Sequence, residues 1–415
     1  MRSTLKTNFR KRKLIGVVWC LLLIRAAASF AADLERDGGM VIPDRQREAL
    51  SKLTALPYLQ GYKPAPKKSG VTLYDREAAY KGLNFYVCGH APRAYLMDMN
   101  GKIVHEWGTD LKKSCPSGQI HWRRAHLFEN GDVLAFEGDG KGEGMVLLKL
   151  DKHSNLLWSY DGRCHHDLFV EEDGNIYVLT KRRCTEHSKL KLEGPIWEDC
   201  VTILSPKGEE IKTISLLDCF LNSEYAYVLY YMARKGDPFH TNTIELFNGS
   251  LVDRVPMFKE GHALISIRHL STVAIVDLKA EKVTWMLWGM WRVQHQPVVL
   301  ENGNILLFDN GDISGKSRVM EFNPLTQEIV WAYRGDATNK FFSETCGSNQ
   351  RLPNGNTLIT ESESGRAFEV TPDNKIVWEF INPHRTGSDN KLIATLFELI
   401  RIEPGCLSFL SGADE

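Results

Sequence analysis

Four histidines recur at nearly one place in a repeating unit, just upstream of a strand that ends in a turn. They are His126 before ENGDVLAF, His166 before EEDGNIYVL, His240 in FHTNTIELFNG and His295 in QHQPVVLENGNILLF. His166 and His295 each stand eight residues ahead of a turn glycine, Gly174 and Gly303. A repeat that returns one titratable side chain to one position sets imidazoles around an axis. An imidazole with an ordinary pKa of about 6.5 can act near neutral pH as nucleophile, proton carrier or metal ligand. Asn242 and Arg268, at the end of EGHALISIR, add hydrogen-bond donors. A guanidinium repels a cation and grips an oxyanion, so the set reads as an anion pocket without a metal.

Elements with a fixed period must hold these side chains. Six segments share an apolar strand, a tight polar turn and a second strand usually ending in an aromatic residue: YLMDMNGKIVHEW, LLKLDKHSNLLWSY, VTILSPKGEEIKTI, VAIVDLKAEKVTWML, VMEFNPLTQEIVWAY and FEVTPDNKIVWEF. Each reads as a β-hairpin, and most are preceded by a second hairpin. Trp285, Trp331 and Trp378 are spaced 46 and 47 residues apart, the length of one propeller blade. The expected fold is all-β: a six-bladed β-propeller of four-stranded antiparallel blades, spanning 81–415. The C-terminal segment LIATLFELIRI closes the ring by completing the first blade. A β-sandwich is the other architecture, but it leaves the period unexplained.

In a propeller the start of the first strand and the end of the second share a face. That rule gathers His166 with Lys181 and Arg182, His240 and Asn242 with Arg268, and His295 with Asp309, symmetric about Asn302. His165 points the other way, because strand neighbours alternate. His126 stands three residues closer to its turn and fits the pocket less well. His105, His121, His153, His187 and His384 read as structural, and His262 and His269 as supporting at most.

Residues 1–31 have the layout of a secretory signal peptide. A basic cluster (Arg10–Lys13) precedes the apolar run LIGVVWCLLLI and the small residues AAASFAA. Removing it leaves 44 basic against 52 acidic residues, a net −8 that excludes nucleic acid and an anionic membrane as partners. The 43% hydrophobic and 25% charged content is that of an ordinary globular chain. Residues 32–80 read as an N-terminal extension and linker, with a short helix near 43–53. Eight cysteines remain after cleavage, and register suggests the disulfides Cys164–Cys184 and Cys200–Cys219, with free thiols as the alternative.

The order HHDL, FHTN, SIR, QH with NGNILLFDNG, then QRLPNGNTLI with FEVTP and IVWEF, resembles the bacterial aryl-sulfate sulfotransferases over roughly residues 81–400. The FHTN, SIR and QH pieces are diagnostic, whereas NGN and EVTP are general propeller grammar. The resemblance implies a periplasmic or secreted six-bladed propeller that moves a sulfuryl group from an aryl sulfate to a phenol, with no cofactor and no membrane after signal cleavage. It implies His295 as the transiently sulfated nucleophile, and His166, His240, Asn242 and Arg268 as sulfate-binding residues. Well-known members carry an N-terminal β-sandwich domain that assists dimerisation, for which this chain leaves no room; oligomeric state stays open. The approach to His295 is bulky, MLWGMWRVQHQ, and Trp288 and Trp291 are expected either to stack on an aromatic substrate or to narrow access to the site. Two other classes stand beside this one: a non-catalytic ligand-binding propeller, and a metal-dependent propeller hydrolase or lyase.

Overall fold

The computed structural model describes residues 63–109, 120–138, 144–311, 315–387, 389–403 and 405–410. The expected signal segment, the expected helix at 43–53 and Cys115 lie outside the described residues. The regular secondary structure of the rest is almost entirely β-strand, in a propeller-like arrangement of antiparallel sheets. All six outer hairpins expected from the sequence are paired strands.

One four-stranded sheet runs Leu396–Ile402, Leu83–Cys88, Arg93–Met97, Ile103–Gly108. Its C-terminal strand pairs in register with the first of the repeat, Leu83 facing Ile402. A seven-stranded sheet extends from His121–Leu127 to Glu210–Ser215. Its strand Leu156–Val170 spans 15 residues, an outer strand at its start and an inner strand at its end. Two further four-stranded sheets begin at Thr241–Leu246 and His295–Val299. The last begins at Ser348–Arg351 and gains Gly70–Tyr74 as a fifth, outermost strand. That strand was expected to be linker: GVTLY has β-propensity but stands outside the repeat.

Sheets buried on both faces lose the polar alternation of a half-exposed strand. Thr272–Asp277 is buried at five of six positions, whereas the outer strand Lys282–Trp288 is buried at only two of seven. Apolar layers fill the gaps between neighbouring sheets. Leu306, Phe308 and Val319 pack on Ile359 and Phe368, and Tyr86 and Met97 pack on Leu358 and Trp378. The recurring tryptophans also bond sheet to sheet. The Trp158 and Trp331 indoles donate to Pro206 O and Pro372 O, in the turn of the next outer hairpin. Trp378, fully buried, donates in the same way to Met99 O at 3.0 Å, joining the last outer hairpin to the first. The innermost strands touch in sequence, His121–Leu127, Leu156–Val170, Thr241–Leu246, His295–Val299, Ser348–Arg351, Leu396–Ile402, and then the first again.

The expected disulfides are absent: the seven described cysteines are free. Between Cys164 and Leu168 three residues face one on the partner strand, so Cys164 stands opposite Thr180 rather than Cys184. Cys200 stands opposite Ser215, and Cys219 lies on a short helix, Leu216–Leu221, where the strand was expected to continue. Ser215 caps that helix, its side chain accepting from the Asp218 N–H.

Candidate functional site

The site forms where inner strands begin, and bulges there aim its side chains. His166 (φ 59°), His240 (φ 52°) and Gln296 (φ 45°) adopt the left-handed conformation, uncommon for residues with a Cβ and concentrated at functional sites. At His295 one extra residue bulges out before Val298, so His295 faces Phe308. The bulge at His166 breaks strand alternation and corrects the expected separation of His165 from His166. Their Nδ1 atoms lie 2.9 Å apart.

Gln294 fixes the start of the His295–Val299 strand. Its side-chain amide donates to Ser266 Oγ at 3.0 Å and Thr272 O at 2.9 Å, and its backbone carbonyl accepts from Asn242 Nδ2 at 2.7 Å. His295 is buried, with Nδ1 at 2.6 Å from Asn310 Oδ1. The Asn310 amide nitrogen donates to Ser343 O and Cys346 O, which leaves Oδ1 to accept. The proton of His295 therefore sits on Nδ1, and Nε2 carries the lone pair. Asp309 is not the partner expected for it: that carboxylate pairs with Arg318 at 2.7 Å.

The same reasoning orients the other rings. Arg268 donates to His269 Nε2 at 2.9 Å, so His269 Nδ1–H donates to Asp237 O at 2.7 Å. His240 Nδ1–H donates to Asp237 Oδ2 at 2.5 Å. His165 Nε2–H donates to Thr180 O, so its Nδ1 accepts from His166 Nδ1–H. His166 is left with a buried Nε2 lacking any partner. Its ring lies 4.6 Å from that of His240.

His166, Asn242 and His295 line one cavity with Arg123, Arg124, Gln296, Gly347 and Glu398. Its volume is about 40 Å³, room for roughly three waters or a small oxyanion. Arg124 is neutralised by Asp167 at 2.9 Å and by Glu398. Among the described residues Arg123 and Arg268 have no carboxylate partner; Arg123 lies over the Phe397 ring. Burial, then Arg268, pushes the His295 pKa down to about 3. Burial lowers His240 to about 4, against the opposing pull of Asp237. Burial and Arg123 hold His166 well below its ordinary value. Asp237 is drawn down to about 2, burial being outweighed by His240 and His269. Arg123 lines the cavity beside the neutral His166 and His295, whereas His240 and Arg268 stand outside its lining; neutral imidazoles next to an unmatched guanidinium suit an oxyanion.

Other expected residues lie elsewhere. Trp291 is 2% exposed and packs in the core, its ring 5.2 Å from Phe322, so it cannot stack on a substrate in this state. Trp288 is 44% exposed beside Tyr231. Its strand position opposite Thr272 puts it at the Arg268 end of its sheet. Lys181 sits over the Trp197 ring, Arg182 pairs with Glu198, and His126 packs edge-on to Phe128. The sequence reading missed Arg123, Asp237 and Asn310. Arg123 was findable: it precedes Gly131 by eight residues, the same offset as His166 and His295 from their glycines. Gly347 precedes Gly355 by eight as well, and it too lines the cavity.

The solved structures that the chain resembles are distant. A protein of unknown function from Bacteroides caccae is 13% identical, with a TM-score of 0.48, covering 77% of this chain and 98% of its own. A streptogramin B lyase is 13% identical, with a TM-score of 0.42 and coverage of 83% and 96%. AztD from Citrobacter koseri is 9% identical, with a TM-score of 0.40 and coverage of 78% and 98%. No curated protein matches. The family profile described as Arylsulfotransferase (ASST) matches residues 124–383, a stretch that holds His166, His240, Arg268, His295 and Asn310 and begins one residue after Arg123. On that match the chain belongs to the arylsulfotransferase (ASST) family.

Proposed function

We propose that this protein is a nucleotide-independent sulfotransferase that moves a sulfuryl group from an aryl sulfate to a phenolic acceptor through a sulfo-histidine at His295. The observation that carries this reading is the Asn310 contact, which leaves Nε2 of a buried, neutral His295 with its lone pair in an anion-binding cavity. In the first step Nε2 bonds to sulfur as the sulfur–aryloxide bond breaks. Arg123 and Arg268 offset the charge on the sulfuryl oxygens. The departing aryloxide takes a proton from His240, and Asp237 stabilises that imidazolium as it forms and recovers. The bound ester's negative charge supplies the reason His240 is protonated in the complex: an adjacent anion raises an imidazole pKa. In the second step the acceptor phenol loses its proton to His240, its oxygen bonds to sulfur, and the N–S bond breaks. Two half-reactions on one nucleophile give ping-pong kinetics.

A six-bladed closed ring is the architecture that best carries this site. The cyclic contacts of the inner strands and the Trp378 bond to Met99 support it. Trp288, exposed at the Arg268 end of its sheet, is assigned to the aryl part of the substrate. The signal-like segment 1–31 supports export. A metal-dependent reading has less support. The ligand-spaced group within the site is Asp237, His240 and His269, which omits His295 and has Arg268 bonded to one member.

The test is incubation with a chromogenic aryl sulfate, with intact-mass and peptide analysis before acceptor is added. A gain of one sulfuryl group on the His295 peptide, discharged by phenol and absent in His295→Asn, is the expected result. Neither adduct nor transfer across a broad phenol panel would overturn it.

A further inference from the structure

Where the first and last sheets meet, a second cluster of chemically competent side chains lies apart from the cavity. Cys88 ends the strand Leu83–Cys88, His90 follows in the turn, and His384 follows the strand Ile376–Ile381. We propose that Cys88, His90 and His384 bind one thiophilic transition-metal ion, Zn²⁺ or Cu⁺, which staples that seam.

Geometry is the first support. Cys88 Sγ lies 3.1 Å from His90 Nδ1, and one ligand atom from each of the three residues falls within 4.8 Å of the others. Tetrahedral zinc, with Zn–S of about 2.3 Å and Zn–N of about 2.0 Å, spaces sulfur and nitrogen ligands about 3.5 Å apart. Small side-chain movements therefore bring the trio into range. The donor set is the second support: one thiol and two imidazoles with no carboxylate favour Zn²⁺ or Cu⁺ over Ca²⁺ or Mg²⁺.

The outer ring of contacts is the third. Tyr95 Oη lies 3.1 Å from His90 Nε2, which leaves Nδ1 turned to the sulfur. Tyr86 Oη lies 3.5 Å from His384 Nε2. Metal-ligating histidines are commonly held this way at the nitrogen that does not bind the ion. The backbone also sets the pieces in place, since Gly89 N–H donates to Thr395 O and Ala394 N–H donates to His384 O. The competing account is a metal-free aromatic stack, because the His90 and His384 rings lie parallel with centroids 3.8 Å apart. A stack gains nothing from an ion. A staple closes a loop of nearly 300 residues, where a cross-link restricts the unfolded chain most.

The experiment uses the full chain and reads metal, not transfer. Protein purified without chelator is assayed by elemental mass spectrometry, then stripped and titrated with Zn²⁺, with Co²⁺ as a coloured stand-in, and anaerobically with Cu⁺. The expected result is one equivalent bound, a thiolate-to-cobalt charge-transfer band, and a higher Tm in the loaded form. Cys88→Ser and His384→Gln should each lose the band and the metal-dependent rise in Tm while still transferring sulfuryl groups; having two variants guards against one that misfolds. His269→Gln, which breaks the other ligand-spaced group, should keep both. The two ions are told apart by which one the stripped protein retains under competition with a chelator for each. Absence of any bound equivalent, or binding lost in His269→Gln but kept in Cys88→Ser, overturns the proposal.

Discussion

The Asn310 amide decides which nitrogen of His295 is free to react. Replacing it with Ala removes the acceptor for Nδ1–H and strands two carbonyls, Ser343 O and Cys346 O. Sulfation of His295 should slow by about 10- to 100-fold, as when other ring-orienting partners are lost. Single-turnover mass spectrometry checks this, and a fall in kcat with little change in donor KM separates positioning from binding. A folded pKa of about 3 keeps His295 neutral far into acid, so kcat/KM for the donor should show no loss as pH falls from 7 to about 5, and should rise as His240, lowered to about 4 in the free protein, takes up its proton. An acid limb near 6.5 would contradict that environment. In Arg268→Gln the limb should move toward neutrality, since that cation adds to burial in depressing the pKa. The proposed nucleophile was picked out by the QH motif, but its hydrogen-bond partner was not legible. Hairpin symmetry pointed to Asp309, and one bulged residue handed the role to Asn310.

At the scale of elements, buried bonds between sheets matter more than surface ion pairs. Trp378→Phe removes the indole N–H to Met99 O and leaves a void where the five-membered ring packed. The expected cost is about 2–4 kcal/mol, seen as a lower midpoint in denaturant with unchanged m. Arg124→Met should cost more, about 3–5 kcal/mol, because it leaves Asp167 and Glu398 buried without their cation. Hairpins were readable because alternation and turn residues are local. Register was not. The extra residues near Cys164 and His166 break the pairing without any local turn signal, so symmetric turn arithmetic placed cysteines opposite each other that the sheet holds apart. The Gly70–Tyr74 strand escaped for a related reason: it borrows its partner from the far end of the chain.

For the whole molecule, opposing sets of buried groups shape stability against pH. His126, His165, His166, His240 and His295 all have folded pKa values below 6.5. The unfolded chain takes up their protons first, so their contribution is complete above 6.5 and is lost as pH falls toward 3. Glu245, Asp199 and Glu398 are raised to about 8, 7 and 6, chiefly by burial. Folding holds protons on them that the unfolded chain releases, so they penalise the fold increasingly as pH rises through 4 to 8. Together these give a maximum in Tm near pH 6.5, with a steeper fall on the acid side where more groups act. A thermal series from pH 4.5 to 8.5 checks it, and a Tm still rising at pH 8.5 would refute it. The repeat made the overall architecture legible from sequence, because each unit states its own strands and turns.

The pairing of Leu83–Cys88 with Leu396–Ile402 has a consequence for how the protein is made. Synthesis delivers the first strand more than 300 residues before its neighbour. Until the last residues leave the ribosome, the first sheet exposes an unpaired, mostly apolar edge, ready to accept a strand from another chain. A nonsense codon just before Leu396 would spare His295, His240, Asp237, Arg123, Arg268 and Asn310. It should nonetheless yield insoluble protein, because what is missing is the partner that hides that edge.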